Sequence, residues 1–197
     1  MLTRDFFERD PLACSRELVC CELVWGKCAG IVVETEAYSA VGDEACHTLA
    51  RPSAREFVAR RAAGAAYVYL NYGMYWLLNV LVKGGGEEGF VLIRAIEPTR
   101  GLDAMRLRRA GSSEFRIQNS KFLCSGPGKL AQALGVTGAH HGADLCKNSA
   151  RGFLARKNSV EVVEDVRIGI SKSAHLPWRF LLLDSPFVSA ALSRAKK

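Results

Sequence analysis

The sequence predicts a single α+β (mixed α/β) domain, and three observations carry that reading. The 197 residues are uninterrupted by an internal repeat or a Pro/Ser-rich linker, and they suffice to bury one sizeable core. Three apolar runs rich in β-branched and aromatic residues, near 31–38, 67–82 and 90–98, have strand composition. Between and around them lie stretches with helix start and stop signals.

Taken in order, Asp10-Pro11 reads as an N-cap followed by proline at the first helical position, opening a short helix that carries Leu12, Leu18 and Val19. The segment GIVVETEAY then gives a strand from Ile31 to Tyr38. Alternation places Ile31, Val33, Thr35 and Ala37 on one face and Val32, Glu34, Glu36 and Tyr38 on the other. A polar loop, SAVGDEAC, leads to His47, and four arginines follow between Arg51 and Arg61. The stretch AAYVYLNYGMYWLLNVLV has strand composition on both sides of Tyr72-Gly73, so a protruding β-hairpin turning near Asn71 to Gly73 is expected. Its tip is aromatic. KGGGEEG is a turn, and FVLIRAIEP is a further strand in which Arg94 sits among apolar neighbours and so needs a cleft or an anion. A helix with Leu102 and Met105 inward and Arg106, Arg108 and Arg109 outward is expected next, then another from Pro127 stopped by Gly135. Possible strands in VEVVEDVRIGI and PWRFLLLDSPFVS complete the chain.

Hydrophobic residues at 49% and charged residues at 24% are the composition of a globular protein and exclude a disordered or collagen-like chain. The net charge of +7 is unevenly spread: residues 1–50 hold 4 basic and 9 acidic side chains, residues 51–129 hold 13 and 6, and residues 130–197 hold 10 and 5. A basic field of this size suits a polyanion, although a merely solvated surface has the same composition. The charged start MLTRDFFERD has no apolar signal-peptide core, and the apolar run at 67–82 is too short for a membrane span. Seven cysteines, an odd number without CxxC spacing, are expected to be buried, reduced thiols in an intracellular protein.

Several residues could carry chemistry. Glu34 and Glu36 could lie on a solvated sheet face, or Glu36 could be a general base in an aromatic cleft with Tyr38; spacing leaves both open. Together with Asp43, Glu44 and His47 the two glutamates could instead form a divalent-metal site, which would make the protein a nuclease, although the spacing matches no named metal motif. Tyr67, Tyr69, Tyr72, Tyr75 and Trp76 are by default sheet core, but Tyr72 falls on the turn, where an exposed ring could act as a wedge in a duplex. SGPGK lacks the GxxxxGK[ST] spacing of a phosphate loop; what survives is a helix N-terminus with Lys129, able to hold a backbone phosphate.

In combination these segments resemble the alkyladenine (3-methyladenine) DNA glycosylase family. The resemblance rests on VVETEAY with His47 downstream, YVYLNYGMYWLLNV, VLIRAIEP, CSGPGKLAQALG, RIGI and PWRF, in that order from about Leu18 to Ser189. It implies a curved, largely antiparallel sheet with surrounding helices, and a monofunctional enzyme that flips a damaged purine from double-stranded DNA and hydrolyses its N-glycosidic bond. Glu36 then matches the catalytic carboxylate and Arg94 an arginine beside the attacking water. Tyr38, His47 and Tyr69 match the rings that sandwich the flipped base, and Asn79 the residue opposing the N2 amino group of normal guanine. Tyr72 matches the intercalating hairpin tyrosine, with Met74 and Tyr75 beside neighbouring bases. No metal or organic cofactor, no membrane and no second subunit are implied. A lyase working through a lysine Schiff base and a non-catalytic binder of damaged DNA are the remaining rivals. The sequence departs from the family after His47, where RPSAREF places Glu56 in the position of an asparagine and leaves the contacts of that loop open.

Overall fold

The computed structural model describes residues 1–111 and 117–193. Two short helices, α1 (Arg4–Phe7) and α2 (Pro11–Leu18), precede a β1–β2 hairpin (Glu22–Trp25 and Cys28–Ser39). Asp10 caps α2, its carboxylate accepting from the Ala13 amide at 2.8 Å, as Asp10-Pro11 predicts. Helices α3 (His47–Ala50) and α4 (Pro52–Arg60) come next, followed by β3 (Ala66–Asn71), β4 (Tyr75–Lys83) and β5 (Glu88–Arg100). Helix α5 (Leu102–Ala110) and α6 (Pro127–Leu134) lead to three short strands, β6 (Arg151–Leu154), β7 (Val162–Asp165) and β8 (Arg179–Leu182). Gly135 ends α6 in the left-handed conformation.

All the strands belong to one sheet, and every pairing is antiparallel. The order is β3-β4-β5-β2-β1-β6, with β8 pairing both β2 and β7. Strand β2 is the hinge of this arrangement. Its first residues pair with β1, whereas Glu34, Thr35 and Glu36 pair with β8, and the register against β5 shifts between Val32 and Thr35. Irregularities of this kind bend a strand and re-aim its side chains, which is how one strand serves two partners along the same edge.

Period-two alternation then divides the sheet into two faces. Val68, Leu78, Val80, Val82, Val91 and Ile93 enter the main core, where Phe7, Leu18, Met105, Leu130 and Phe153 meet them beneath the helices. Tyr67, Tyr69, Leu77, Asn79, Phe90, Leu92 and Arg94 point the other way and line a cleft.

Three expectations need correction. Glu34 and Glu36 are fully buried, so the solvated-face reading of this strand is wrong. The arginine-rich stretch after His47 is helical, and Glu56 pairs there with Arg60 one turn on at 2.9 Å, on an exposed helix face. Of the arginines expected to point outward from α5, Arg106 and Arg109 are half-buried, while Arg108 is exposed yet donates to the Ala133 carbonyl of α6 at 2.9 Å. All seven cysteines are free thiols, and burial pushes Cys14 up to about 11 and Cys124 up to about 12. No helix among the described residues is long and apolar enough to cross a membrane.

The closeness of β2 and β5 depends on Gly89, which pairs with Ser39. A Cβ there would lie 2.1 Å from the Tyr38 carbonyl oxygen and 3.1 Å from Ser39 Cα. Both are backbone atoms of β2, and the third neighbour, Pro11 Cγ at 3.0 Å, belongs to a rigid ring, so nothing flexible can yield. Gly89→Ala is expected to destabilise the fold by about 1–3 kcal/mol, the ordinary cost of overpacking, in urea denaturation. Unchanged stability would contradict the contact.

Candidate active site

The cleft has a volume of about 450 Å³ and opens beside the β3–β4 hairpin. Aromatic rings dominate its walls. Tyr38 comes from β2, His47 from the start of α3, Tyr67 and Tyr69 from β3, and Phe90 from β5. His47 meets the Tyr69 ring edge-on at 4.5 Å between centroids, and its Nδ1 lies 3.2 Å from the Tyr67 hydroxyl. Burial, aided by the charge of Arg51, pushes His47 down to about 4, so the ring is neutral at pH 7. Asn79 is fixed by donating from Nδ2 to the Tyr67 carbonyl at 3.2 Å.

The carboxylate of Glu36 lies beneath these walls, with no exposed surface. Its Oε1 accepts from the Ile168 amide at 2.8 Å, while Oε2 accepts from the Tyr38 hydroxyl at 2.9 Å and faces Arg94 Nη1 at 3.2 Å. The Ile168–Ile170 segment, whose first amide donates to Oε1, lines the cleft and so ties the buried carboxylate to its wall.

Glu34, two residues earlier, has a different environment. It accepts from Arg94 Nε at 2.9 Å, from Arg179 Nε at 2.7 Å, and from the amide and hydroxyl of Ser189. Arg179 also pairs with Asp165 at 3.0 Å, and Ser193 caps that aspartate. Burial alone raises both glutamates. In Glu34 two guanidiniums and the Ser189 donors outweigh it and hold the group below its ordinary value. In Glu36 burial wins over Arg94, the Ile168 amide and Tyr38, and the group titrates above its ordinary value.

The hairpin tip is as exposed as Glu36 is hidden. Tyr72 is 79% exposed, and with Gly73 it forms a turn in which both residues have positive φ, closed by the Met74 amide donating to the Asn71 carbonyl at 3.0 Å. A bulky residue with φ near +50° is strained, and such strain concentrates at functional sites. Pro127 and Gly128, at the start of α6, form the facing rim; a Cβ on Gly128 would meet the Tyr75 ring at 3.1 Å.

The structure therefore gathers Tyr38, His47, Tyr69, Tyr72, Tyr75, Asn79 and Arg94 around one cleft, with Glu36 directly below it. Met74 and Lys129 do not line the cleft and are exposed beside it, on the hairpin tip and on α6. The carboxylates weighed as a metal site do not converge: Asp43 is paired in two-pronged fashion with Arg167, at 2.6 and 2.7 Å, and Glu34 with Arg94 and Arg179. No lysine among the described residues lines the cleft. The sequence reading missed Arg167, Arg179, Asp165 and Ser189. The signal it used for Arg94, an arginine among apolar neighbours, is equally present in DVRIGI and PWRFLL.

Comparison with known proteins agrees with this geometry. Residues 5–186 match the family model of methylpurine-DNA glycosylase. A protein of Rhodopseudomonas palustris (strain CGA009) is 44% identical over 195 residues, covering 98% of this chain and 90% of its own. One from Agrobacterium fabrum is 43% identical over 188 residues, covering 94% and 91%, and one from Nitrosospira multiformis is 39% identical over 183 residues, covering 93% and 91%. Each is named as an inferred 3-methyladenine DNA glycosylase. With its cleft, its hairpin and these relatives, the chain belongs to the methylpurine-DNA glycosylase family.

Proposed function

We propose that this protein removes alkylated purines, 3-methyladenine among them, from double-stranded DNA by hydrolysing the N-glycosidic bond and leaving an abasic site. The observation that carries the reading is a fully buried carboxylate, Glu36, below an aromatic cleft whose mouth adjoins an exposed tyrosine. Tyr72 enters the duplex and fills the place of the displaced nucleotide, and Met74 and Tyr75 abut the neighbouring bases. Unstacking costs a few kcal/mol, least where the base is damaged. Lys129 and the arginines from Arg51 onward hold the phosphates.

In the cleft, Tyr38, His47 and Tyr69 stack on the extruded base. Alkylation at N3 or N7 makes a purine cationic, and each aromatic face then attracts it by about 0.5–2 kcal/mol. A neutral His47 adds a ring without adding an opposing charge. Asn79, tethered to the Tyr67 carbonyl, cannot swing aside to admit the amino group of normal guanine.

Hydrolysis then needs little help at the leaving group. The C1′–N9 bond breaks, its electron pair neutralises the departing cationic base, and a water oxygen bonds to C1′. Glu36 takes the proton of that water, and its charge offsets the oxocarbenium-like charge on the sugar. Arg94 keeps the carboxylate ionised and aligned.

Glu36→Gln is expected to lower single-turnover release of 3-methyladenine from methylated duplex DNA by about 10²–10⁴-fold, the usual worth of a general base. Full retention of release would overturn the mechanism. Because the carboxylate form is required and its pKa is raised, the wild-type rate falls on acidification, with a midpoint above the ordinary glutamate value of about 4.3.

Tyr72→Gly removes an exposed ring and a left-handed non-glycine residue together. It is expected to raise stability by up to about 1–2 kcal/mol while sharply reducing excision from duplex DNA. A loss of stability without loss of excision would show that the ring serves the fold and not the duplex.

A further inference from the structure

The segment that donates to Glu36 is itself held by a side chain to which the reaction above gives no role. Arg167 is only 4% exposed. Its Nη1 donates to the Ala37 carbonyl at 2.9 Å and to Asp43 Oδ2 at 2.6 Å; its Nη2 donates to Asp43 Oδ1 at 2.7 Å and to the Ser173 carbonyl at 3.2 Å. The guanidinium carbon lies 4.6 Å from the centroid of Tyr38 and 5.3 Å from that of Trp178. A planar group with several donors and two stacking faces can make all these contacts at once, and a lysine cannot.

The pieces it joins are those that shape Glu36. Ala37 lies between Glu36 and Tyr38, Asp43 is on the loop leading to His47, and the next residue in the chain, Ile168, supplies the amide donor at 2.8 Å. The Tyr38 ring against which the guanidinium stacks carries the hydroxyl donor at 2.9 Å. We propose that Arg167, anchored by Asp43, is a positioning residue for N-glycosidic hydrolysis: it sets the two hydrogen bonds, from the Tyr38 hydroxyl and the Ile168 amide, that aim Glu36 at its water. This rests on the reading of Glu36 as the base.

A purely structural ion pair is the competing account, and the two differ in what repairs the damage. Replacing both members of a buried pair by uncharged residues often restores stability. It does not restore an aimed hydrogen bond. The double variant Asp43→Asn/Arg167→Met, with Arg167→Lys beside it, therefore separates fold from rate. The charged and titratable groups around Glu36 are Glu34 and Tyr38 on its own strand, Arg94 on β5, Tyr69 on β3, Arg179 on β8 and the Arg167–Asp43 pair itself; the double variant removes that pair's two opposite charges together, Arg167→Lys keeps both, and neither variant changes the rest. Loss of the Ile168 donor removes a contact that favours the carboxylate, so the acid limb of the rate profile moves to higher pH.

The test is single-turnover release of 3-methyladenine from methylated duplex DNA across pH, together with hydrogen exchange of the Ile168 amide in the DNA-free protein. Both variants are expected to fold and to lose about 10²-fold in rate at saturating DNA, the scale of a small misplacement of a reacting group. The acid limb moves upward and the Ile168 amide exchanges faster. Folded variants with the wild-type rate and limb, or with unchanged Ile168 protection, would overturn the role. If the wild-type chain releases no base, the glycosylase reading falls and this role with it; if it does and the variants match it, only the role falls.

Discussion

Glu36 has no exposed surface, and it lies in a buried cluster where three carboxylates, Glu34, Glu36 and Asp165, share two guanidiniums, Arg94 and Arg179. The cluster is one positive charge short. Glu34 pairs with both guanidiniums and adds the Ser189 donors, Asp165 pairs with Arg179 alone but adds donors from Ser193 and Val166, and Glu36 is left with one ion pair at 3.2 Å and two neutral donors. That inequality is the constraint on which the site depends. A carboxylate meant to accept a proton needs a raised affinity for it, while its neighbours must stay ionised to keep Arg94 in place.

The fold supplies this arrangement through β2. The strand changes partner from β1 to β8 at its irregular stretch, which brings Arg179 opposite Glu36 in the ladder and its guanidinium to Glu34. The last described residues close over the same group, with Ser189 on Glu34 and Ser193 on Asp165. Removing one member of a buried pair costs about 3–5 kcal/mol, so this network is costly to break and holds the aromatic walls to their floor. The hairpin is built on the opposite principle: at its tip the chain tolerates strain at Tyr72 and leaves the ring in solvent.

Much of this was legible in the sequence. The three long strands, the hairpin turn at Tyr72-Gly73, the Asp10 cap and the Gly135 stop follow from local patterning and appear in the structure. The cleft residues were legible because their motifs occur in a recognisable order. The burial of Glu34 and Glu36 was not, since alternation shows which side chains share a face and is silent on what covers that face. Here the cover is β8 and the segments before and after it, at Ile168 and Ser189, more than 130 residues away along the chain. The pairing of Asp43 with Arg167, 124 residues apart, is equally non-local, and that of Asp165 with Arg179 depends on the β7–β8 register, which local patterning does not set. The stretch after His47 read as a loop because its arginines masked the buried Ala54, Phe57 and Val58 of a short amphipathic helix.

The acidic first quarter of a basic protein thus contains the proposed base, and the basic remainder supplies the two guanidiniums that pair with Glu36 and Glu34. The most direct measurement is a carbon-13 NMR titration of the glutamate side-chain carboxyls in the DNA-free protein, assigned with Glu34→Gln and Glu36→Gln. The expected result is a Glu36 midpoint above the ordinary value and a Glu34 midpoint below it. A Glu36 that titrates at or below Glu34 would contradict the division of charge on which the account rests.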